Sequence, residues 1–126
     1  MSQDIEEILQ QARTQLQTGK TDKARMLLLA LLKQEPNNMA ALLMLGGSYF
    51  NSEKFQEAEM VFERLVLMEP GRGEFSIALF NTLWKQERTE EALEEIKRFV
   101  SVADKQKEKA IINQYATIIK EFTDKA

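Results

Sequence analysis

Acidic side chains occur as adjacent pairs at three places, and paired carboxylates can do acid–base chemistry or bind a hard metal ion. The pairs are Glu6–Glu7, Glu90–Glu91 and Glu94–Glu95. Glu90 and Glu91 fall in the first turn of a predicted helix, where the helix dipole favours negative charge. Glu94 is placed to pair with Arg98 one turn later. We therefore interpret these carboxylates as a solvated surface, with no inward-facing oxygen cluster.

The chain lacks two residue types, cysteine and histidine, on which many catalytic and metal sites depend. It has no cysteine and no histidine, so there is no thiol nucleophile, disulfide, imidazole base or Cys/His metal site. The only glycine cluster comparable to a phosphate-binding loop is Gly71-Arg72-Gly73. It lacks a following Lys-Ser/Thr pair and is interpreted as a linker. We expect no enzymatic activity, no cofactor and no bound metal.

Composition and charge indicate an ordinary folded domain rather than a nucleic-acid binder. Of the 126 residues, 44% are apolar, which is enough for a core, and only 5 are Gly and 2 Pro, which excludes disorder and turn-rich β folds. The net charge is −3. The nearest approach to a basic run is Lys105, Lys107 and Lys109, and Asp104 and Glu108 interrupt it. We expect no nucleic-acid partner.

The chain gives no indication of a membrane or export segment. Three of its first seven residues are acidic, and the segment lacks the basic-then-apolar layout of a signal peptide. The apolar run 26–32, which no other run exceeds, is far shorter than the roughly 20 residues that span a bilayer. We expect a cytoplasmic protein with no membrane partner.

Residues of matching character recur every 34 positions, which indicates a repeat array. Pro36 and Pro70 keep this interval, and Asp104 stands where a third proline would fall. The recurring apolar sets are Ala24, Ala58 and Ala92; Leu28, Phe62 and Ile96; Leu31, Leu65 and Phe99; Leu9, Leu43 and Ile77; and Leu16, Phe50 and Trp84.

Helical spacing of apolar residues within each unit predicts two helices per repeat and no sheet. We predict seven helices, near 4–17, 22–34, 39–51, 55–68, 73–86, 90–103 and 106–123. Asp4, Thr21 and Thr89 are the predicted N-terminal caps, while Gly19 and Pro70 mark helix ends.

A 34-residue helix-turn-helix unit with these residues resembles the tetratricopeptide repeat. The middle unit carries the resemblance best, through Leu42, Leu45, Gly46, Tyr49, Ala58, Phe62, Leu65 and Pro70. The third unit departs from the pattern at Ser76 and Phe80, and we expect Phe80 to splay its helix pair or shift the register. The resemblance implies an all-α α-solenoid forming a single domain over 1–126, with repeats at about 5–38, 39–72 and 73–106 and a capping helix at about 106–123.

By this resemblance, the first helices of the repeats line a concave groove that binds a peptide. Independently of the family, several apolar residues remain on these helices once the interior is assigned, although part of this strip is also explained as core. The groove predicts a protein-interaction adaptor or client-binding chaperone that takes an apolar peptide or amphipathic helix. The predicted lining is Leu9, Arg13, Leu16, Leu43, Gly47, Phe50, Ile77, Asn81, Trp84 and Lys85.

One binding mode of the family is not expected here. Tetratricopeptide co-chaperones hold the acidic C-terminal tails of heat-shock chaperones with a cationic clamp. The matching places in this chain hold Leu9, Arg13, Met44, Glu74 and Ala78, so only one cation is present and Glu74 would repel a carboxylate. The apolar groove is closer in character to bacterial secretion chaperones of the same repeat class.

The predicted capping helix has an unusually wide apolar surface. Ile111, Tyr115, Ile118 and Phe122 form one stripe, and Ile112, Ala116 and Ile119 form a second beside it. A terminal cap normally presents a polar outer face. The alternative function is therefore a self-associating scaffold that forms a homodimer through Ile112, Ile119 and Phe122.

Overall fold

The computed structural model describes residues 4–124, which form seven α-helices and no strand. The predicted all-α fold is confirmed, and most helix boundaries agree with the predicted ones within a residue. The helices are α1 (Ile5–Gln17), α2 (Thr21–Gln34), α3 (Met39–Asn51), α4 (Phe55–Met68), α5 (Gly73–Lys85), α6 (Thr89–Val102) and α7 (Lys109–Asp124).

Local hydrogen bonds explain where several helices begin and end. The Asp4 carboxylate accepts from the Glu6 backbone N–H at 3.1 Å, as predicted, and Asn38 caps α3 through the Ala41 N–H at 2.9 Å. Gly19 takes a positive φ of 80°, a conformation that ends α1 at low cost in a residue without a Cβ.

The predicted caps Thr21 and Thr89 are wrong. Each is the first residue of its helix, and the preceding Lys20 and Arg88 occupy the cap positions without a side-chain hydrogen bond. A lysine or arginine side chain has no acceptor atom, so it cannot satisfy the free N–H groups of the first turn.

The last helix starts three residues later than predicted, at Lys109 instead of 106. The Asp104 carboxylate holds the intervening turn, accepting from the backbone N–H groups of Gln106 at 2.9 Å and Lys107 at 3.0 Å. These bonds lower the pKa of Asp104 below its ordinary value. Asp104 thus ends the third repeat through its own turn, where the other repeats have a proline.

The helices fall into two compact units, one up to Leu65 and one from Val66. In the first unit α1 packs against α2, and α2 against α3. Gly46 of α3 lies directly against the Phe62 ring of α4, so the absence of a Cβ allows these helices to approach closely. The core cluster comprises Leu9, Ala12, Leu28, Leu31, Ala41 and Leu45.

In the second unit α5 packs along α6, and α7 packs on α5. The expectation that Phe80 splays this helix pair or shifts its register stays a prediction, and α5 packs along α6 with Phe80 buried. The buried Phe80 ring stacks on Trp84 at 5.6 Å and contacts Tyr115 of α7 at 5.5 Å. A large residue at this position therefore serves the packing of the capping helix.

Candidate functional site: two clefts, an apolar groove and a buried polar network

A cleft of about 340 Å³ lies between α1 and α3 in the first unit; we call it the α1–α3 cleft. Gly47 faces open space, since a Cβ added there would have no neighbour within 4 Å. The cleft therefore has room beside Gly47 for a further side chain. Its lining residues are Leu16, Thr21, Met44, Gly47, Ser48, Asn51 and Ser52.

The other residues predicted for the groove in the first unit lie in different environments. Leu9 is only 5% exposed and belongs to the core, so its predicted place in the lining is wrong. Arg13 is exposed and donates to Gln10 Oε1 at 2.9 Å. Leu43 and Phe50 are half-buried, and the Phe50 ring meets Phe55 edge-on at 5.3 Å.

A second cleft, of about 500 Å³, lies between α5 and α7; we call it the α5–α7 cleft. It brings together Asn81 and Trp84, both predicted, with residues of α7 that were not. Trp84 is 42% exposed, an unusual state for the largest aromatic side chain in a core-facing helix. Ile77 is half-buried and Lys85 exposed, and neither lines this cleft. The lining is Phe80, Asn81, Trp84, Thr89, Ile118, Glu121 and Phe122.

An almost wholly apolar groove of about 510 Å³ lies on the other side of α7, against α6; we call it the α6–α7 groove. Two of the three predicted self-association residues, Ile119 and Phe122, line it and are each 45% exposed. The third, Ile112, is half-buried. The remaining lining residues are Leu93, Ile96, Lys97, Val100 and Ser101, which sequence reasoning did not select.

A buried polar network anchors α7 in the second unit. Ser76 of α5 donates to Glu95 Oε2 of α6 at 2.7 Å, and the Tyr115 hydroxyl lies 2.7 Å from Ser76 Oγ. The Arg98 guanidinium binds both oxygens of Glu95, at 2.6 and 2.7 Å, and donates to the Pro70 carbonyl at 2.9 Å. Glu95 is buried, so the interpretation of Glu94–Glu95 as wholly solvated, with Glu94 pairing to Arg98, is wrong.

Burial and pairing shift two of the pKa values in this network. Removal from water raises the pKa of the Tyr115 phenol well above its ordinary value, so the hydroxyl keeps its proton. The hydrogen bonds to Glu95 raise the pKa of Arg98. Tyr115 therefore keeps its proton and Arg98 its charge near neutral pH, which suits a structural role for the network.

The structure gives no sign of a metal centre within residues 4–124, where no group of three or more potential ligands comes together. None of the helices in that range is long and apolar enough to cross a membrane.

Comparison with known proteins assigns the fold class first. The structure resembles the type III secretion translocator chaperone SycD of Yersinia enterocolitica over 99% of this chain and 96% of that one, with a TM-score of 0.82 and 19% identity. The first tetratricopeptide domain of Spaghetti (RPAP3), solved with an HSP90 peptide, matches with a TM-score of 0.72 and 16% identity. That match covers 92% of this chain and 93% of the Spaghetti domain. A MamA mutant matches with a TM-score of 0.70 and 24% identity, over 82% of this chain and 75% of the MamA chain. The predicted tetratricopeptide-type α-solenoid is thereby confirmed.

The family follows from the sequence itself. A tetratricopeptide repeat model matches residues 9–76, more than half of the chain. No curated protein matches the sequence. The chain belongs to the tetratricopeptide repeat family, a class of non-enzymatic protein-interaction folds, and its seven helices fit three repeats followed by a capping helix.

Proposed function

We propose that the chain is a non-enzymatic adaptor or client-binding chaperone that binds an apolar peptide or amphipathic helix of another protein. The observation that carries the proposal is the partial exposure of large apolar side chains on the first helices of the repeats, beside clefts able to receive a ligand. Trp84 at 42% exposure is the strongest case. Aromatic residues of this kind dominate the energy of protein interfaces.

The clefts offer space and apolar walls for an apolar side chain beside polar lining groups. Gly47 leaves space in the α1–α3 cleft, and Leu16 and Met44 supply apolar walls. Burial of two or three apolar anchors contributes about 1.5–3 kcal/mol each before the entropic cost of association. We therefore expect micromolar affinity for a single segment.

The test combines capture with mapping. Wild type and a Leu43→Lys, Phe50→Lys double variant are used as bait in lysate of the source organism, and captured proteins are cut into segments. A segment that binds wild type, shifts amide signals of α3 in NMR and loses at least tenfold affinity for the variant supports the proposal.

A matched control separates a local effect from added charge. Met26→Lys with Met60→Lys introduces the same two charges on α2 and α4, where these side chains are 71% and 73% exposed. This control must retain binding. Equal loss in both variants, or a segment that shifts no residue of α1, α3 or α5, contradicts the proposal.

Acidic heat-shock tails serve as the negative probe. The peptide SRMEEVD is bound by the Spaghetti domain. In this chain Leu9 is buried and Glu74 is exposed at positions where a cationic clamp would be needed. We expect no binding of SRMEEVD at millimolar concentration in an NMR titration.

A second candidate function is self-association through α7, favoured by the α6–α7 groove. Ile119 and Phe122, each 45% exposed, adjoin Leu93 and Val100 in this cavity. Lys97 is the only charged residue that lines it in the part of the chain that the structure describes. A second copy that places its own α7 there would cover this apolar surface.

Sedimentation equilibrium over a hundredfold concentration range tests this candidate. A dimer that Ile112→Lys with Ile119→Lys converts to a folded monomer supports it. Ile119→Lys alone changes only a partly exposed side chain, so it guards against unfolding. Leu67→Lys is the control, since Leu67 is 81% exposed. A mass unchanged by Ile119→Lys rules this candidate out.

A further inference from the structure

The α5–α7 cleft differs chemically from the α1–α3 cleft and the α6–α7 groove. Trp84 of α5 and Phe122 of α7 are both partly exposed at its surface, and the buried Phe80 ring stacks behind Trp84 at 5.6 Å. Within residues 4–124, Glu121 is the only charged residue that lines it. In the same range the α1–α3 cleft has no charged lining residue, and the α6–α7 groove has a lysine.

We propose that the α5–α7 cleft binds a cationic side chain, an arginine by preference, of the segment that this chain recognises. The inference rests on the proposed function and adds a requirement to it. An apolar ligand segment carries an arginine, and its guanidinium lies against Trp84 and Phe122 beside the Glu121 carboxylate.

Three features of the cleft favour a guanidinium over other groups. The negative faces of aromatic rings attract cations, and tryptophan does so most strongly. Arginine is planar and less strongly hydrated than lysine, so it stacks on a ring at lower desolvation cost. The Glu121 carboxylate and the Asn81 amide oxygen accept N–H groups from the edge of the stacked ion.

The charges around the cleft are compatible with a cation. Lys85 follows Trp84 in the sequence and Lys120 precedes Glu121, but neither lines the cleft. Its volume, about 500 Å³, falls within the ~300–1,000 Å³ typical of ligand pockets. There is therefore room for an arginine together with a neighbouring apolar side chain.

The test uses the single tryptophan of the chain as the reporter. The probe is the peptide acetyl-Ser-Leu-Arg-Leu-Ser-amide, and its control carries citrulline, which has nearly the same shape without the charge. Both are titrated into the full-length protein, with the Trp84 indole N–H followed by NMR. We expect the arginine peptide to shift this signal and to bind about three- to tenfold more tightly than the citrulline peptide.

Two variants assign the preference to the cleft. Glu121→Gln changes an exposed side chain. We expect it to lower the ratio of the affinities for the arginine and citrulline peptides by a factor of about two to five. Glu94→Gln makes the same charge change on α6, outside all three cavities, and leaves the preference unchanged. In Trp84→Leu, backbone amides of 118–122 replace the indole as reporter, and the arginine preference falls to below twofold.

Several outcomes overturn the inference. These are equal affinity for the two peptides, no change of the Trp84 signal with either, or an equal loss of preference in Glu121→Gln and Glu94→Gln. Equal binding of both peptides at Trp84 would leave the proposed apolar-segment function standing. Failure of the capture experiment with α3 variants is a separate result and removes that function itself.

Discussion

The Tyr115 hydroxyl of α7 donates a hydrogen bond to Ser76 Oγ of α5, with 2.7 Å between the two oxygens. The direction follows from proton counting, because Ser76 has one hydroxyl proton and gives it to Glu95. Tyr115 is 1% exposed, so this bond lies among apolar side chains where an unpaired hydroxyl would be costly. The pair therefore specifies which face of α7 lies on α5.

Removing this hydroxyl should destabilise the protein without repacking it. Tyr115→Phe keeps the ring contacts to Phe80 and Phe99 but leaves Ser76 without its donor. We expect the free energy of unfolding at pH 7 to fall by about 1–2 kcal/mol in urea denaturation. Tyr49→Phe, at the other tyrosine of the chain, should change it by less than about 0.5 kcal/mol. Equal effects of the two changes would contradict the assigned role.

The same tyrosine predicts a loss of stability in alkali. Burial raises the pKa of Tyr115 in the folded protein, while in the unfolded chain the phenol titrates near 10. The folded state holds the proton more tightly, so this contribution is complete below about pH 10 and is lost as the pH rises further. Glu95 and Arg98 are the charged groups that face the hydroxyl, and the hydrogen bonds to Glu95 raise the pKa of Arg98.

The measurement is the difference in unfolding free energy between wild type and Tyr115→Phe, taken at several values from pH 8 to 11. We expect the advantage of wild type to shrink as the pH passes about 10. All other titratable groups are the same in the two proteins, so their contributions cancel in the difference. A difference that stays constant to pH 11 would show that Tyr115 is not protected from ionisation.

Adjacent glutamates in α6 should behave very differently. Glu95 is 6% exposed and accepts from Ser76 and Arg98, whereas Glu94 is exposed. Glu95→Ala should lower the free energy of unfolding by about 2–3 kcal/mol, because it leaves buried donors without an acceptor. This loss is small for a broken buried ion pair, since the Arg98 guanidinium is partly exposed to water. Glu94→Ala should stay within about 0.5 kcal/mol. Thermal and urea unfolding of both variants decide between Arg98 pairing with Glu95 and pairing with Glu94.

Two adjacent glycines in α3 provide a second matched pair. A Cβ on Gly46 would collide with the Phe62 ring, while one on Gly47 would meet nothing within 4 Å. Gly46→Ala should destabilise the protein by about 1–3 kcal/mol through overpacking. Gly47→Ala should stabilise it by up to about 1 kcal/mol, because alanine has the higher helix propensity. Chemical denaturation tests both, and a stable Gly46→Ala protein would contradict the close α3–α4 contact.

The start of α5 holds the start of α7 through Gly73 and Glu108. The Gly73 N–H donates to Glu108 Oε1 at 3.0 Å, and a Cβ at Gly73 would collide with that carboxylate and with Ile111. We expect Gly73→Ala to accelerate hydrogen exchange in α7 and to cost about 1–3 kcal/mol. Glu108→Gln keeps an acceptor and should change exchange little. Unchanged exchange in Gly73→Ala would show that α7 is held elsewhere.

The positions and type of the helices followed from the sequence because they depend on short-range patterns. Apolar residues at helical spacing, Gly19 and Pro70 as breaks, and the 34-residue interval between Ala24, Ala58 and Ala92 are all local or periodic features. They predicted seven helices and the repeat family. The exceptions, such as the caps at Thr21 and Thr89, depended on single hydrogen bonds at helix ends.

A site residue could be predicted from the sequence only where its position on a single helix was sufficient to select it. Trp84 and Gly47 were selected from their repeat positions, but Glu121 and Phe122 join Trp84 only after α7 packs on α5. Leu9 shows the converse error, since it occupies the same repeat position as Leu43 yet lies in the core. Equal repeat positions do not have equal neighbours in the first and the middle repeat of an array.

The polar network was decided by tertiary structure alone. Ser76 and Glu95 are separated by 19 residues, and Ser76 and Tyr115 by 39. In the sequence each residue has a simpler interpretation. Ser76 is a departure from the repeat pattern, Glu95 is a solvated acid, and Tyr115 is part of an apolar stripe. Whether a polar side chain is buried and paired depends on which helices pack around it, and neither its own spacing nor its residue type contains that information.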